Sequence, residues 1–476
     1  MNVDVAIIGT GTAGLSARRE AERNHKSWVL IDPGPFGTTC ARVGCMPSKL
    51  LIAAAEAHHH VQGAATFGIR VPDGVTVDGR AVMQRVRAER DRFVGFVVEA
   101  TDSMGPEKLI KGRAKFVGPT TLEIDTGQTI EAGSVVIATG SSPWVPGDLE
   151  PVKTRVILND DVFEWDDLPD SVAVVGTGVI ALEIGQALQR LGVRVTFFNP
   201  FDQVGPVTDP AIDAVVREVL GDELDLQVGV ADLAYALGGD GVNVTWNAKG
   251  EAKSATFEWV LAAAGRRPNI VGLGLDKLGI ELDRRGMPVA FDPTTMQLGE
   301  LPVFFAGDVN GQRPLLHEAA DEGRIAGRNA AGFPGDVLAH VRRTPLAIAF
   351  TDPNIAVAGK GYRELEEGTF AVGTVDYSDQ GRSRVMNMNK GRVNIYGECG
   401  TGRILGAEFF GPRAEHTAHL IAWAIQQGMT VQRALQMPFY HPVVEEGIRT
   451  ALRDVAVQLK LASKPCASGL ECGPGV

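Results

Sequence analysis

The chain has 476 residues, 44% hydrophobic and 22% charged, with a formal net charge of −12. That length exceeds a single hydrophobic core, so about two to four domains are expected. The acidity excludes nucleic acid as the main partner, no apolar run is long enough to cross a bilayer, and five cysteines are too few and too odd for a structural disulfide framework.

The first strand, Val3 to Ile8, starts almost at Met1. The chain as given leaves no room for a targeting segment, and a cytoplasmic location is expected. Gly9-Thr10-Gly11-Thr12-Ala13-Gly14 follows as a turn, Leu15 to Arg23 as a helix, and Trp28 to Ile31 as a second strand ending at Asp32. Gly9, Gly11 and Gly14 let the backbone approach a pyrophosphate at the helix N-terminus, and Asp32 can accept hydrogen bonds from a ribose.

Next comes Cys40-Ala41-Arg42-Val43-Gly44-Cys45, then Met46-Pro47-Ser48-Lys49. Two cysteines this close, just after a dinucleotide turn, suggest a disulfide that exchanges electrons with a bound cofactor. The thiolate is the nucleophile, exchange runs through a mixed disulfide, and a near second thiol resolves it. A zinc site would need further Cys or His ligands at short spacing, and none lie beside this pair. His58, His59 and His60 point about 100° apart around a helix and cannot converge on one ion, so no metal is expected.

Val135 to Ala138 reads as a strand running into Thr139-Gly140. The dinucleotide pattern then returns: strand Ser171 to Val175, turn Gly176-Thr177-Gly178-Val179-Ile180-Ala181, helix Leu182 to Leu191, strand Val193 to Phe198. Val260 to Gly265 and Arg266 echo the Thr139-Gly140 turn, and Phe304 to Asp308 is a further strand ending in Gly-Asp. Two such folds imply two dinucleotides, most simply a flavin and a nicotinamide. The second strand ends at Asn199, neither the acid usual for NAD nor the Arg usual for NADP. With no basic cluster nearby, NAD is the first choice and NADP stays open.

From about residue 340 short strands surround a helix that starts near Ala414, which reads as a separate α+β domain. Cys399 falls near a turn as an incidental free thiol. The expected fold class is α/β, with two Rossmann-like dinucleotide-binding domains and a C-terminal α+β dimerisation domain. The expected segments are an FAD-binding domain (1–150), an NAD(P)-binding domain (151–270), a central segment completing the FAD side (271–340), an interface domain (341–462) and a flexible tail carrying Cys466 and Cys472 (463–476).

Together these residues resemble class I of the pyridine nucleotide–disulfide oxidoreductase family, over nearly the whole chain to about Leu461. The most specific pieces are Cys40 to Lys49 and Tyr440-His441-Pro442-Val443-Val444-Glu445-Glu446, and Phe201-Asp202-Gln203-Val204 fits the lipoamide branch. The resemblance implies FAD in the first fold, a nicotinamide in the second, and a homodimer with shared active sites. It makes Cys45 the thiolate against the flavin and Cys40 the thiol that meets substrate. His441 is then the base and Glu446 its orienting acid, both supplied by the partner chain. Lys49 matches a lysine near the flavin ring and Glu183 its paired acid; Asp308 matches a contact to the flavin's ribityl–phosphate region, and Ala114 a backbone contact to the adenine. The implied reaction is oxidation of dihydrolipoamide by NAD+, with the lipoyl groups of a 2-oxoacid dehydrogenase complex as possible partners. Two alternatives stay open: an NADPH-driven reductase of another disulfide or of an ion, and a subunit whose main work is docking to a complex.

Overall fold

The computed structural model describes residues 1–461; Cys466 and Cys472 lie outside them. The first sheet is built from β1 (Asn2–Ile8), α1 (Thr12–Arg23), β2 (Trp28–Ile31), α2 (Thr39–Val43), α3 (Cys45–Gly63), α4 (Gly79–Asp102), β3 (Leu109–Ile110), β4 (Ala114–Phe116), β5 (Thr121–Ile124) and β6 (Thr129–Ile137). Its central strands are continuous apolar runs because both faces are covered; Val5, Ala6, Ile7, Val29, Leu30 and Val136 are inaccessible to solvent. β1 runs parallel to β2 and β6, with Ile7 opposite Leu30 and Val136. β5 lies antiparallel along the start of β6.

The chain then crosses through β7 (Ser141–Pro143), β8 (Val156–Ile157) and α5 (Asn159–Val162) into β9 (Ser171–Val175), α6 (Val179–Arg190), β10 (Arg194–Asn199), α7 (Pro210–Gly221) and β11 (Asp225–Val228). After a three-stranded antiparallel sheet of β12 (Ala231–Gly238), β13 (Gly241–Ala248) and β14 (Glu251–Phe257), β15 (Trp259–Ala262) completes a parallel sheet ordered β11-β10-β9-β15-β8. β16 (Arg266–Pro268) returns antiparallel to β7.

β17 (Val303–Phe305) rejoins the first sheet, pairing with the second half of β6 while β5 holds the first half. The following helix, α8 (Leu316–Gly332), lies tight on α1. A Cβ at Gly323 would sit 2.2 Å from the Ala13 carbonyl oxygen, so only glycine permits that approach.

Both dinucleotide helices begin three residues earlier than the apolar pattern indicated, at Thr12 and Val179 rather than Leu15 and Leu182. The cause is the turn itself. Gly11 and Gly178 are the N-caps, extended and without any side-chain cap, so the first helical N–H groups face outward, free of side chains.

The C-terminal domain is an antiparallel sheet ordered β18 (Leu346–Ala349), β19 (Asn354–Gly359), β22 (Ile404–Gly411), β21 (Arg392–Glu398) and β20 (Phe370–Asp376), with α9 (Gly381–Val385) between β20 and β21. Helices α10 (Ala414–Gln426), α11 (Val431–Leu435) and α12 (Glu446–Gln458) complete it. The buried Glu408 carboxylate fastens this domain to the second fold, accepting from the N–H groups of Thr208 (2.7 Å), Asp209 (2.9 Å) and Tyr362 (2.8 Å) and from the Thr208 hydroxyl (2.6 Å). Among the described residues no helix is long and apolar enough to cross a membrane.

Candidate active site

Cys40 lies in α2, which the Thr38 hydroxyl caps by accepting from Ala41 N–H. Gly44 breaks the path, and Cys45 opens α3 at an N-terminus without a side-chain cap. Both cysteines are free thiols, Cys40 half-buried and Cys45 exposed. The Cys40 S–H donating toward Cys45 lowers the Cys45 thiol to about 7; burial opposes this and the Lys49 ammonium, one turn along α3, assists it. The same hydrogen bond, with burial, pushes the Cys40 thiol far above the usual thiol range. The pair is therefore asymmetric, with Cys45 giving up its proton more readily than Cys40.

Lys49 Nζ sits 2.7 Å from Glu183 Oε2 on α6 and 4.6 Å from the centre of the Phe350 ring. Glu183 Oε1 accepts from the Phe350 N–H at 2.9 Å. Phe350 was not singled out from the sequence; it is distant along the chain and only the packing of three domains brings it under Lys49.

The first turn has the shape a pyrophosphate needs. Gly9 has φ +113°, and a Cβ there would meet the Ala138 carbonyl oxygen at 2.3 Å, whereas Gly11 faces open space. Asp32 closes the turn: Oδ2 accepts from Thr10 N–H (2.7 Å) and Thr10 hydroxyl (2.8 Å), and Oδ1 accepts from Gly34 N–H (2.7 Å). These residues fit a dinucleotide. Ala114 is buried in β4, where its backbone pairs with Ile124.

Thr139, Gly140, Gly265, Arg266 and Asp308 meet where the chain crosses between the folds. The Thr139 hydroxyl donates to the Asn269 carbonyl (2.7 Å), and Asn269 N–H donates to the Gly140 carbonyl (3.0 Å). Arg266 Nε donates to the Ser141 hydroxyl (2.9 Å), which donates to Asp308 Oδ2 (2.9 Å). Ser141, which no sequence motif singled out, links these two. Behind Asp308, the buried Glu322 accepts from Gly307 N–H, Asn310 Nδ2 and Arg342 Nη2, each at 2.7 Å. A carboxylate every third or fourth residue on a helix usually marks a wet face, so Glu322 carried no signal.

In the second turn Gly176 repeats the constraint of Gly9, with φ +113° and the Ala263 carbonyl oxygen 2.5 Å from a Cβ; Gly178 faces open space. Asn199 Nδ2 donates to the Thr177 hydroxyl at 2.7 Å, and its Oδ1 accepts from Phe201 N–H at 3.0 Å.

His441 Nδ1 lies 3.1 Å from each Glu446 carboxylate oxygen. Burial works to raise the Glu446 carboxyl, but hydrogen bonds from His441 and Val443 N–H, with the Arg449 charge, hold it below its ordinary value. An ionised Glu446 keeps the Nδ1 proton in place and leaves Nε2 free as a base. His441 is 80% exposed and sits on the C-terminal domain, whereas Cys40 and Cys45 belong to the first fold.

Residues 3–323 match the model of the pyridine nucleotide-disulphide oxidoreductase family, and residues 346–452 match that family's dimerisation domain. The dihydrolipoyl dehydrogenase of Thermus scotoductus is 30% identical over 94% of this chain and 96% of its own length. The mercuric reductase of Staphylococcus aureus is 27% identical over 94% of this chain and 81% of its own. The structure of LpdA from Mycobacterium tuberculosis superposes with a TM-score of 0.80 at 28% identity, covering 95% of this chain and 99% of that one. The flavoprotein disulfide reductase RclA of Escherichia coli shares the fold, with a TM-score of 0.79 at 21% identity over 94% of this chain and 99% of that one.

Proposed function

Because the chain belongs to the pyridine nucleotide-disulphide oxidoreductase family, whose cofactors are FAD and NAD(P), we propose that it oxidises dihydrolipoamide with NAD+ in a homodimer whose active sites are shared. The observation that carries this reading is the paired free thiols Cys40 and Cys45, with Lys49 one turn along α3 from Cys45 and a His441 imidazole held 3.1 Å from Glu446.

The cycle begins with Cys40 and Cys45 joined as a disulfide. His441 Nε2 takes a proton from one substrate thiol. The resulting thiolate attacks the Cys40 sulfur, forming a mixed disulfide and releasing Cys45 as a thiolate, which Lys49 stabilises. The second substrate thiol attacks the substrate sulfur of that mixed disulfide and passes its proton to the departing Cys40, so the substrate leaves as a cyclic disulfide. Cys40 departs with the bonding pair as a thiol, and the first proton stays on His441 until solvent takes it. The substrate has lost two electrons and the cysteine pair has gained them. That reduced state, proton on Cys40 and charge on Cys45, is the one the local electrostatics favour. FAD, when bound, supplies the two-electron exchange between this pair and the nicotinamide nucleotide. Gly9, Gly11, Gly14, Asp32, Lys49, Ala114, Thr139, Gly140 and Asp308 would hold the flavin dinucleotide; Gly176, Gly178, Glu183, Asn199, Gly265 and Arg266 would face the second nucleotide.

His441 and the cysteines lie on different domains, and the matched dimerisation domain supports supply of His441 by a second copy. A cytoplasmic location and service to a 2-oxoacid dehydrogenase complex belong to this reading. The similarity to a mercuric reductase supports a second one, in which NADPH drives reduction of an ion or another disulfide. Steady-state rates with dihydrolipoamide, oxidised glutathione and Hg(II), each with both nicotinamides, decide between them. Absence of dihydrolipoamide turnover overturns the first.

A further inference from the structure

Asn199 stands where a dinucleotide fold normally presents the group that distinguishes a ribose 2′-hydroxyl from a 2′-phosphate. Its side chain is already committed. Nδ2 donates to the Thr177 hydroxyl and, at 3.3 Å, to the Gln203 carbonyl, while Oδ1 accepts from Phe201 N–H. The Thr177 hydroxyl in turn donates to the same Gln203 carbonyl at 2.5 Å. These bonds fold residues 199–203 back on the glycine turn and turn the next residues outward: Phe201 is 74% exposed and the Asp202 side chain 78%.

From Pro200 through Gly221 the only cation is Arg217, on α7. It is held between two acids, with Nη1 2.5 Å from Asp202 Oδ1 and Nε 2.6 Å from Asp213 Oδ2. Two nitrogens of the guanidinium are therefore engaged by carboxylates, and the cluster carries a formal net charge of about −1. A phosphate dianion approaching it meets an exposed carboxylate before the cation.

We propose that the Asp202–Arg217–Asp213 cluster is the specificity gate of the second nucleotide site, excluding nicotinamide dinucleotides with a 2′-phosphate in the place of a strand-end acid. The proposal rests on the NAD+ reading above and names the residues that enforce it. Its logic is exclusion: Asn199 brings no charge to the 2′ position, and selection comes from repelling the alternative.

The test is direct binding, independent of turnover. Dissociation constants for NADH, NADPH, 5′-AMP and 2′,5′-ADP are measured by calorimetry on the flavin-loaded enzyme and on two variants. Asp202→Asn releases one Arg217 contact and removes a charge, so NADPH and 2′,5′-ADP are expected to bind about tenfold tighter while NADH and 5′-AMP change less than about twofold. Arg217→Met leaves both acids unopposed and is expected to move the ratio the opposite way. Equal weakening of all four ligands in both variants would show that the cluster only shapes the loop, and would overturn the gate. Ratios unmoved in both variants would overturn it too. Tighter NADPH than NADH binding by the unsubstituted enzyme would instead defeat the NAD+ reading.

Discussion

The two dinucleotide folds share a turn and differ in how the strand end holds it. In the first, Asp32 accepts from Thr10 N–H and hydroxyl; in the second, Asn199 donates to the Thr177 hydroxyl. The threonine is the same and the proton runs the other way. One strand end keeps a negative charge beside its nucleotide site and the other is neutral, with its charge displaced to Asp202. Two copies of one motif therefore need not read their ligands by the same atom. The proposed redox residues also follow one copy: Cys40, Cys45 and Lys49 come after the turn of the first fold, while the second contributes Glu183, and Asn159 ahead of its first central strand donates to the Val43 carbonyl between the cysteines.

If that division of labour is correct, Cys45→Ser should lower dithiol oxidation by about 10⁴-fold or more while leaving the NADH dissociation constant unchanged. Stopped-flow turnover and equilibrium binding on one preparation check both halves. Glycine substitutions separate the folds next. Gly9→Ala forces a Cβ against the Ala138 carbonyl at 2.3 Å and should yield protein without flavin absorbance near ~450 nm. Gly176→Ala meets the Ala263 carbonyl at 2.5 Å and should keep its flavin while NADH binding weakens, by about 10²-fold. Loss of flavin from Gly176→Ala would break the comparison.

A smaller effect probes the Lys49–Glu183 contact between the folds beside the cysteine pair. Lys49 lowers the Cys45 thiol and Glu183 raises it. Lys49→Met should therefore move the midpoint of Cys45 alkylation up relative to its background, so that less thiolate exists at neutral pH, and Glu183→Gln should move it down. The rate of iodoacetamide labelling against pH, with Cys40 replaced by Ser in all variants, reads this directly. That common background lacks the Cys40 proton, so its own midpoint should already lie above that of the unsubstituted enzyme. The smallest effect is at Asn199. Asn199→Asp replaces a donor by an acceptor facing the Gln203 carbonyl and should cost about 1 kcal/mol of stability, read as a fall in Tm of a few degrees.

Both glycine turns, the flanking strands and the cysteine pair could be read from the sequence because each is a local pattern with a local cause. The helix starts at Thr12 and Val179 could not, since the apolar stripe begins one turn inside each helix. What depended on distant partners was hidden. Ser141 means something only once Arg266 and Asp308 are brought to it, and Phe350 only once Lys49 lies over its ring. Asp202 was noticed only within a motif, because the meaning of its charge is fixed by Arg217, fifteen residues later.

The ribbon of β7 and β16 has a consequence for how the molecule is assembled. Ser141 lies opposite Pro268 and Pro143 opposite Arg266, so the chain leaves the first fold and comes back to it one ladder spacing away, about 5 Å. Everything between is a cassette plugged into its host by a single two-pronged connector, and β17 closes the host sheet only after the cassette has been threaded. A nucleotide domain with different preference could be exchanged at that connector while β6 and the pyrophosphate turn of the host keep their own partners.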